Sequence, residues 1–225
     1  MNKIIHILFF QFVIVNMFSQ KDSLQIGDRY AEDQIYASIS FSQFITQPSS
    51  IRESNFSYSF STGFIKDIIL NKQGNFSIAA GLGYGFDMFN HQLKVEEINN
   101  SSKFSNDNSV YSNIFKSHNL EIPLEFRWRT STAIKYNFWR VYTGVTFLYN
   151  LSNKFQFTDS TNTLVKYSNV SAYNKFQYGL TVSAGYKEFN IHVFYGLTPL
   201  FKDATINNEA INTKILKLGL IFFIL

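Results

Sequence analysis

The stretch LEIPLEFRWR, residues 120–129, carries the chain's densest set of groups able to hold a charge or move a proton. Glu121, Glu125, Arg127 and Arg129 occupy alternate or doubly alternate positions in it. Residues two apart on an extended strand lie on one face, so these four side chains share a surface. Glu125 can then pair with Arg127 along the strand and, across a hairpin, with Arg140. Arg140 and Lys217 lie on the same face of two further segments. Such a cluster supports two roles: a polar conduit or proton-handling site, or a salt-bridged plug filling a narrow interior. The plug is the expected role if the cluster faces into a small barrel, whose lumen is just wide enough for side chains.

Other chemistry finds less support. The four histidines, His6, His91, His118 and His192, show no metal-ligand spacing. A Ser-His-acid hydrolase or acyltransferase could use His118 or His192, but no motif selects a nucleophile among the serines. The run Gly81-Leu82-Gly83-Tyr84-Gly85 is spaced like a phosphate loop but lies within a strand pattern, with no helix to follow. The absence of cysteine removes disulfides, thiolate catalysis and Cys-based metal sites together. A net charge of +4, spread along the chain without a basic cluster interleaved with aromatics, argues against nucleic acid. A non-enzymatic protein without catalytic, metal or cofactor site is the expectation.

The elements that position the cluster are strands. Phe, Tyr, Val, Ile and Thr dominate over helix formers, and 18% aromatic content is too rich for disorder. In FSYSFSTGF, residues 56–64, Phe56, Tyr58, Phe60, Thr62 and Phe64 alternate with Ser57, Ser59, Ser61 and Gly63. Eight segments alternate in this way, near 34–46, 55–66, 75–88, 118–129, 138–150, 174–186, 189–197 and 214–225. Nine of the 11 glycines fall inside them, all in the small or polar register. That face must be crowded, as the concave side of a tightly curved sheet is. In the last segment Ile215, Ile221 and Phe223 blur the polar row.

The connections after the second, fourth and sixth segments are short, and those after the third, fifth and seventh are long and rich in Ser, Asn and Asp. An even strand number with short turns on one side and long loops on the other is the arrangement of an outer-membrane barrel. The fold expected is therefore all-β, an eight-stranded antiparallel up-and-down transmembrane β-barrel over 34–225. Residues 1–19, MNKIIHILFFQFVIVNMFS, read as a signal peptide: a positive start at Lys3, an apolar core and a small residue at the cleavage point. Residues 20–33 would form a short periplasmic lead.

Volume decides which way the bulky rows point. Eight rows of Phe, Tyr, Leu and Ile would overfill the interior of a soluble lipocalin, and a Ser/Gly/Thr face with few charges makes a poor aqueous exterior. The bulky rows are expected to meet outer-membrane lipid. Trp128 and Trp139 flank one short turn, and Phe64, Phe76, Tyr186 and Phe189 flank the other two, as an interfacial girdle would. Pro123, within a strand pattern, predicts a local bulge. In the long loops, Tyr111, Phe115, Tyr167 and Tyr173 suit either partner-binding anchors or residues packed down on the barrel mouth.

One stretch carries a family resemblance. Leu120-Glu121-Ile122-Pro123-Leu124, the basic end Phe126-Arg127-Trp128-Arg129, and Trp139-Arg140-Val141-Tyr142-Thr143-Gly144 resemble the PorT-like family of small porin-family outer-membrane barrels of Bacteroidota. Lys217-Leu218-Gly219-Leu220-Ile221-Phe222-Phe223-Ile224 resembles the terminal-strand signal read by barrel-assembly machinery, although Leu225 replaces the more usual terminal aromatic. The resemblance implies a role as an accessory or scaffold component of type IX secretion and gliding, with secretion-system proteins as partners. A narrow porin, a barrel hydrolase or acyltransferase, and a soluble lipocalin-like binder are the alternatives.

Overall fold

The computed structural model describes residues 33–51, 55–99, 101–106, 112–130, 139–159, 161–187 and 189–224. The expected signal segment, residues 1–19, all of the expected lead except Asp33, and Tyr111 lie outside them. Eight strands make the wall: β1 (Gln34–Ile45), β2 (Asn55–Ile69), β3 (Phe76–Asn90), β6 (Ser112–Arg129), β7 (Trp139–Thr158), β9 (Phe176–Tyr186), β10 (Phe189–Gly196) and β13 (Lys214–Ile224). They pair in the order β6-β3-β2-β1-β13-β10-β9-β7, and β6 pairs with β7, so the antiparallel ring closes without an edge. Closure gives each wall strand a neighbour on both sides for backbone groups that lipid could not satisfy.

The serine and glycine rows line the lumen and the bulky rows form the outer surface. Along β2, Ser57, Ser59 and Ser61 are buried while Phe56 is 71% exposed and Phe60 and Phe64 also face out. On β3, Ile78, Leu82 and Tyr84 face out. This outward orientation overturns the lipocalin alternative, which needs the same rows around a cavity.

The described parts of the long connections carry strands of their own. Between β3 and β6 stands a hairpin of β4 (Leu93–Ile98) and β5 (Ser101–Asn106). β6 and β7 run 18 and 20 residues, well past the predicted segment ends, and β8 (Leu164–Ser168) adds to the upper part of β7. A small hairpin, β11 (Thr205–Ile206) with β12 (Glu209–Ala210), closes the last connection. Polar sequence concealed these strands because their inward residues are spaced among Ser and Asn.

Two further expectations need correction. Pro123 makes no bulge: its register with β7 is unbroken, and pairing with β3 holds the same register on both sides of a gap at Gly81 and Leu82. Pro123 points inward, and a β-carbon at Gly81 would crowd its ring, so glycine makes the room. The shift on this hairpin lies instead at His118/Asn119. Phe64 does not flank the first short turn, since β2 runs on to Ile69; exposed Ile68 and Leu70 lead into that turn.

Candidate functional site

Two layers of charge cross the lumen. At the short-turn end, Asp67 on β2 accepts from Arg127 at 2.8 Å and from Arg129 at 2.5 Å, both on β6. β3 lies between these strands, so the bonds reach over it through the interior. Arg127 also donates to Glu125 at 2.7 Å and to Gln34 at 3.1 Å. Its guanidinium lies 4.4 Å from the ring centre of Tyr142 and 5.3 Å from that of Phe223. Arg129 Nε donates to the carbonyl of Gly74 at 3.0 Å, which anchors the arginine to the turn. Gly74 has φ of 75°, a conformation that favours glycine. Arg127, Arg129 and Asp67 have fully buried side chains, so their charges are tolerable only because they are paired.

The second layer lies nearer the long loops. Lys217 on β13 meets Asp87 on β3 at 2.5 Å. Asp87 also accepts from Ser59, Ser117 and Asn119. Glu121 accepts from Ser61 at 3.1 Å and from Tyr36 at 3.4 Å. Tyr36 reaches across because β2 and β3 carry Gly63 and Gly83 under its ring; a β-carbon at Gly83 would collide with the phenol oxygen. Between the layers lies a small cavity of about 30 Å³, lined by Glu121, Glu125, Thr146, Thr181, His192 and Lys217 among others. Thr181 Oγ1 and His192 Nδ1 have no protein partner there.

Above the charges the mouth is closed by an apolar cap. Phe44, Phe89, Phe115 and Phe155 form a run of rings at 4.2, 5.8 and 4.2 Å, from the upper ends of β1, β3, β6 and β7. Leu93 and Val95 of the β4–β5 hairpin, Val170 and Tyr173 of the β7–β9 connection, and Leu200, Phe201 and Ile206 of the last connection pack onto them. Burial here lifts the Tyr173 phenol above its ordinary range. It pushes His91, packed beside Phe44 and Phe155, down to about 3.

All six residues of the interior charge cluster, Glu121, Glu125, Arg127, Arg129, Arg140 and Lys217, are buried on the luminal side. Of the two partners expected for Glu125, Arg127 meets it along the strand at 2.7 Å, whereas Arg140 takes another place in the register. Arg140 lies opposite Arg129, not Glu125, whose cross-strand neighbour is Gly144; Arg140 stacks 5.8 Å over Phe223. Sequence reasoning missed Asp67 and Asp87 as the main acceptors, along with Tyr36, Gln34 and Tyr142. Inward parity on β3 already put Asp87 in the luminal row, and on β2 it would have flagged Asp67 had that segment been extended past residue 66. The blurring residues of β13 also resolve: Ile215, Ile221 and Phe223 face inward.

Trp128 pairs with Phe76, and Trp139 with Tyr186, which pairs in turn with Phe189. All five face outward toward the short-turn end. Phe115 and Tyr173 are buried in the cap, and Tyr167 packs partly against it. His118 faces outward beside Tyr84, at 2.5 Å, whereas His192 borders the cavity inside; no Ser-His-acid chain of bonds links either among the described residues.

The arrangement has recognised relatives. A model of the family described as outer membrane protein beta-barrel domain matches residues 18–202. Among solved structures, the chain is similar to Ail, the attachment invasion locus protein of Yersinia pestis, at 11% identity and a TM-score of 0.41, over 86% of this chain and 97% of that one. No curated protein matches the sequence.

Proposed function

Because the chain belongs to the outer membrane protein β-barrel domain family and resides in the outer membrane, we propose that it is a plugged, non-enzymatic barrel acting as an accessory or scaffold subunit through its loop-side structure and lipid-facing wall. One observation carries the reading: the lumen is obstructed twice, by the Asp67–Arg127–Arg129 layer and by the phenylalanine cap. An ion crossing it would have to displace paired, fully buried charges and then pass a dry aromatic layer, each costing several kcal/mol. These two layers of described residues weigh against the narrow-porin alternative.

The resemblance of residues 120–149 to PorT-like barrels supports placing the subunit with the type IX secretion and gliding machinery, whose proteins would be its partners. Planar-bilayer recordings of the pure protein test the plug: no conductance steps are expected, and steps sensitive to Glu125→Gln or Arg140→Gln would overturn it. Purification of a tagged copy from outer membranes tests the scaffold role. Co-purifying secretion proteins are expected, and recovery of the barrel alone would overturn the assignment.

A further inference from the structure

The outer face of the upper wall carries a feature that the plug does not use. On β6 the outward residues from Trp128 to His118 are ten positions apart, which at a strand rise of about 3.4 Å and a tilt of about 40° spans about 25 Å, the height of an outer-membrane apolar band. The next outward residue is Lys116. It stands directly opposite Lys154 on β7, and Lys154 stands opposite Ser168 on β8. One row higher, Lys166 of β8 faces Gln156, which places it diagonal to Lys154. On the other side Lys116 neighbours Met88. No acidic residue occupies these rows, and none of the three lysines forms an ion pair among the described residues.

Like charges directly opposite on neighbouring strands destabilise a sheet, so this register is costly unless an anion sits between them. At the edge of the apolar band, lysine stems lie along the wall and their ammonium groups reach the headgroup layer. We propose that Lys116, Lys154 and Lys166 form a binding site for the phosphate groups of a phosphorylated glycolipid in the leaflet on the long-loop side. The lipid chains lie against Leu120, Tyr149 and Leu151 below, of which Tyr149 and Leu151 are about half exposed.

The test follows the unfolding temperature of the detergent-solubilised barrel during titration with diphosphoryl lipid A, its dephosphorylated counterpart, or inorganic phosphate. For the native chain, lipid A raises the temperature, the dephosphorylated lipid raises it far less, and inorganic phosphate at equal concentration leaves it unchanged. The triple variant Lys116→Gln/Lys154→Gln/Lys166→Gln needs about tenfold more lipid A or beyond for the same rise. Lys154→Gln alone falls between, which covers any folding defect in the triple variant. Lys66→Gln, at the opposite end of the wall, responds like the native chain. A triple variant with the native response would overturn the proposal. So would an equal response to the dephosphorylated lipid, which signals general apolar solvation, or to inorganic phosphate, which signals a free-anion site.

Discussion

Lys217 and Asp87 meet at 2.5 Å across the lumen, although β1 and β2 stand between their strands in the wall. The bond acts as a strut: it resists flattening of the barrel in a way that neighbour-to-neighbour ladder bonds cannot. Both side chains are almost wholly buried, so breaking the pair leaves one charge unsatisfied.

Removing either partner therefore costs about 3–5 kcal/mol. Lys217→Met and Asp87→Asn each lower the urea midpoint of the detergent-folded protein. The double variant loses less than the sum, with a coupling of about 0.5–3 kcal/mol. Strict additivity would show that the strut bears no load.

Asp67 serves two arginines, so its loss is more severe than that of any other acid in the lower layer. Asp67→Ala lowers stability by about 3–5 kcal/mol, read as earlier urea unfolding or loss of the compact form on unheated gels. Lys66→Ala, one residue away but outward and exposed, leaves the midpoint unchanged.

The cap depends on its central ring. Phe115 is fully buried between Phe89 and Phe155, and Phe115→Ala should cost about 3–5 kcal/mol through lost burial and a residual cavity. Phe115→Leu costs less, and protease cleavage within the loops should rise with the alanine variant first.

His91 makes the cap acid-sensitive. Burial lowers its pKa to about 3, against about 6.5 in an unfolded chain. Above pH 6.5 both states hold it neutral and it adds no pH dependence. As pH falls from about 6 to 4 the unfolded chain takes up the proton and the folded chain does not, so stability drops by about 1.4 kcal/mol per unit. His91→Phe should flatten that part of the profile of unfolding midpoint against pH; an unchanged profile would show that other groups set it.

Much of the wall was legible from the chain alone. Alternation is a local property, because successive side chains on a strand point to opposite faces whatever the strand pairs with. Eight wall segments, their inner and outer registers, the luminal position of Glu121 to Arg129, and the outward Trp128 and Trp139 all follow from it. Tertiary structure decided what those residues meet. The aspartates that meet Arg127, Arg129 and Lys217 come from strands two or three places away around the ring, so these pairs depend on the shear at closure, which no single segment encodes. The same holds for the cap: Phe115 and Tyr173 sit in polar stretches that read as loops, and only the convergence of three connections over one mouth supplies enough apolar neighbours to bury them.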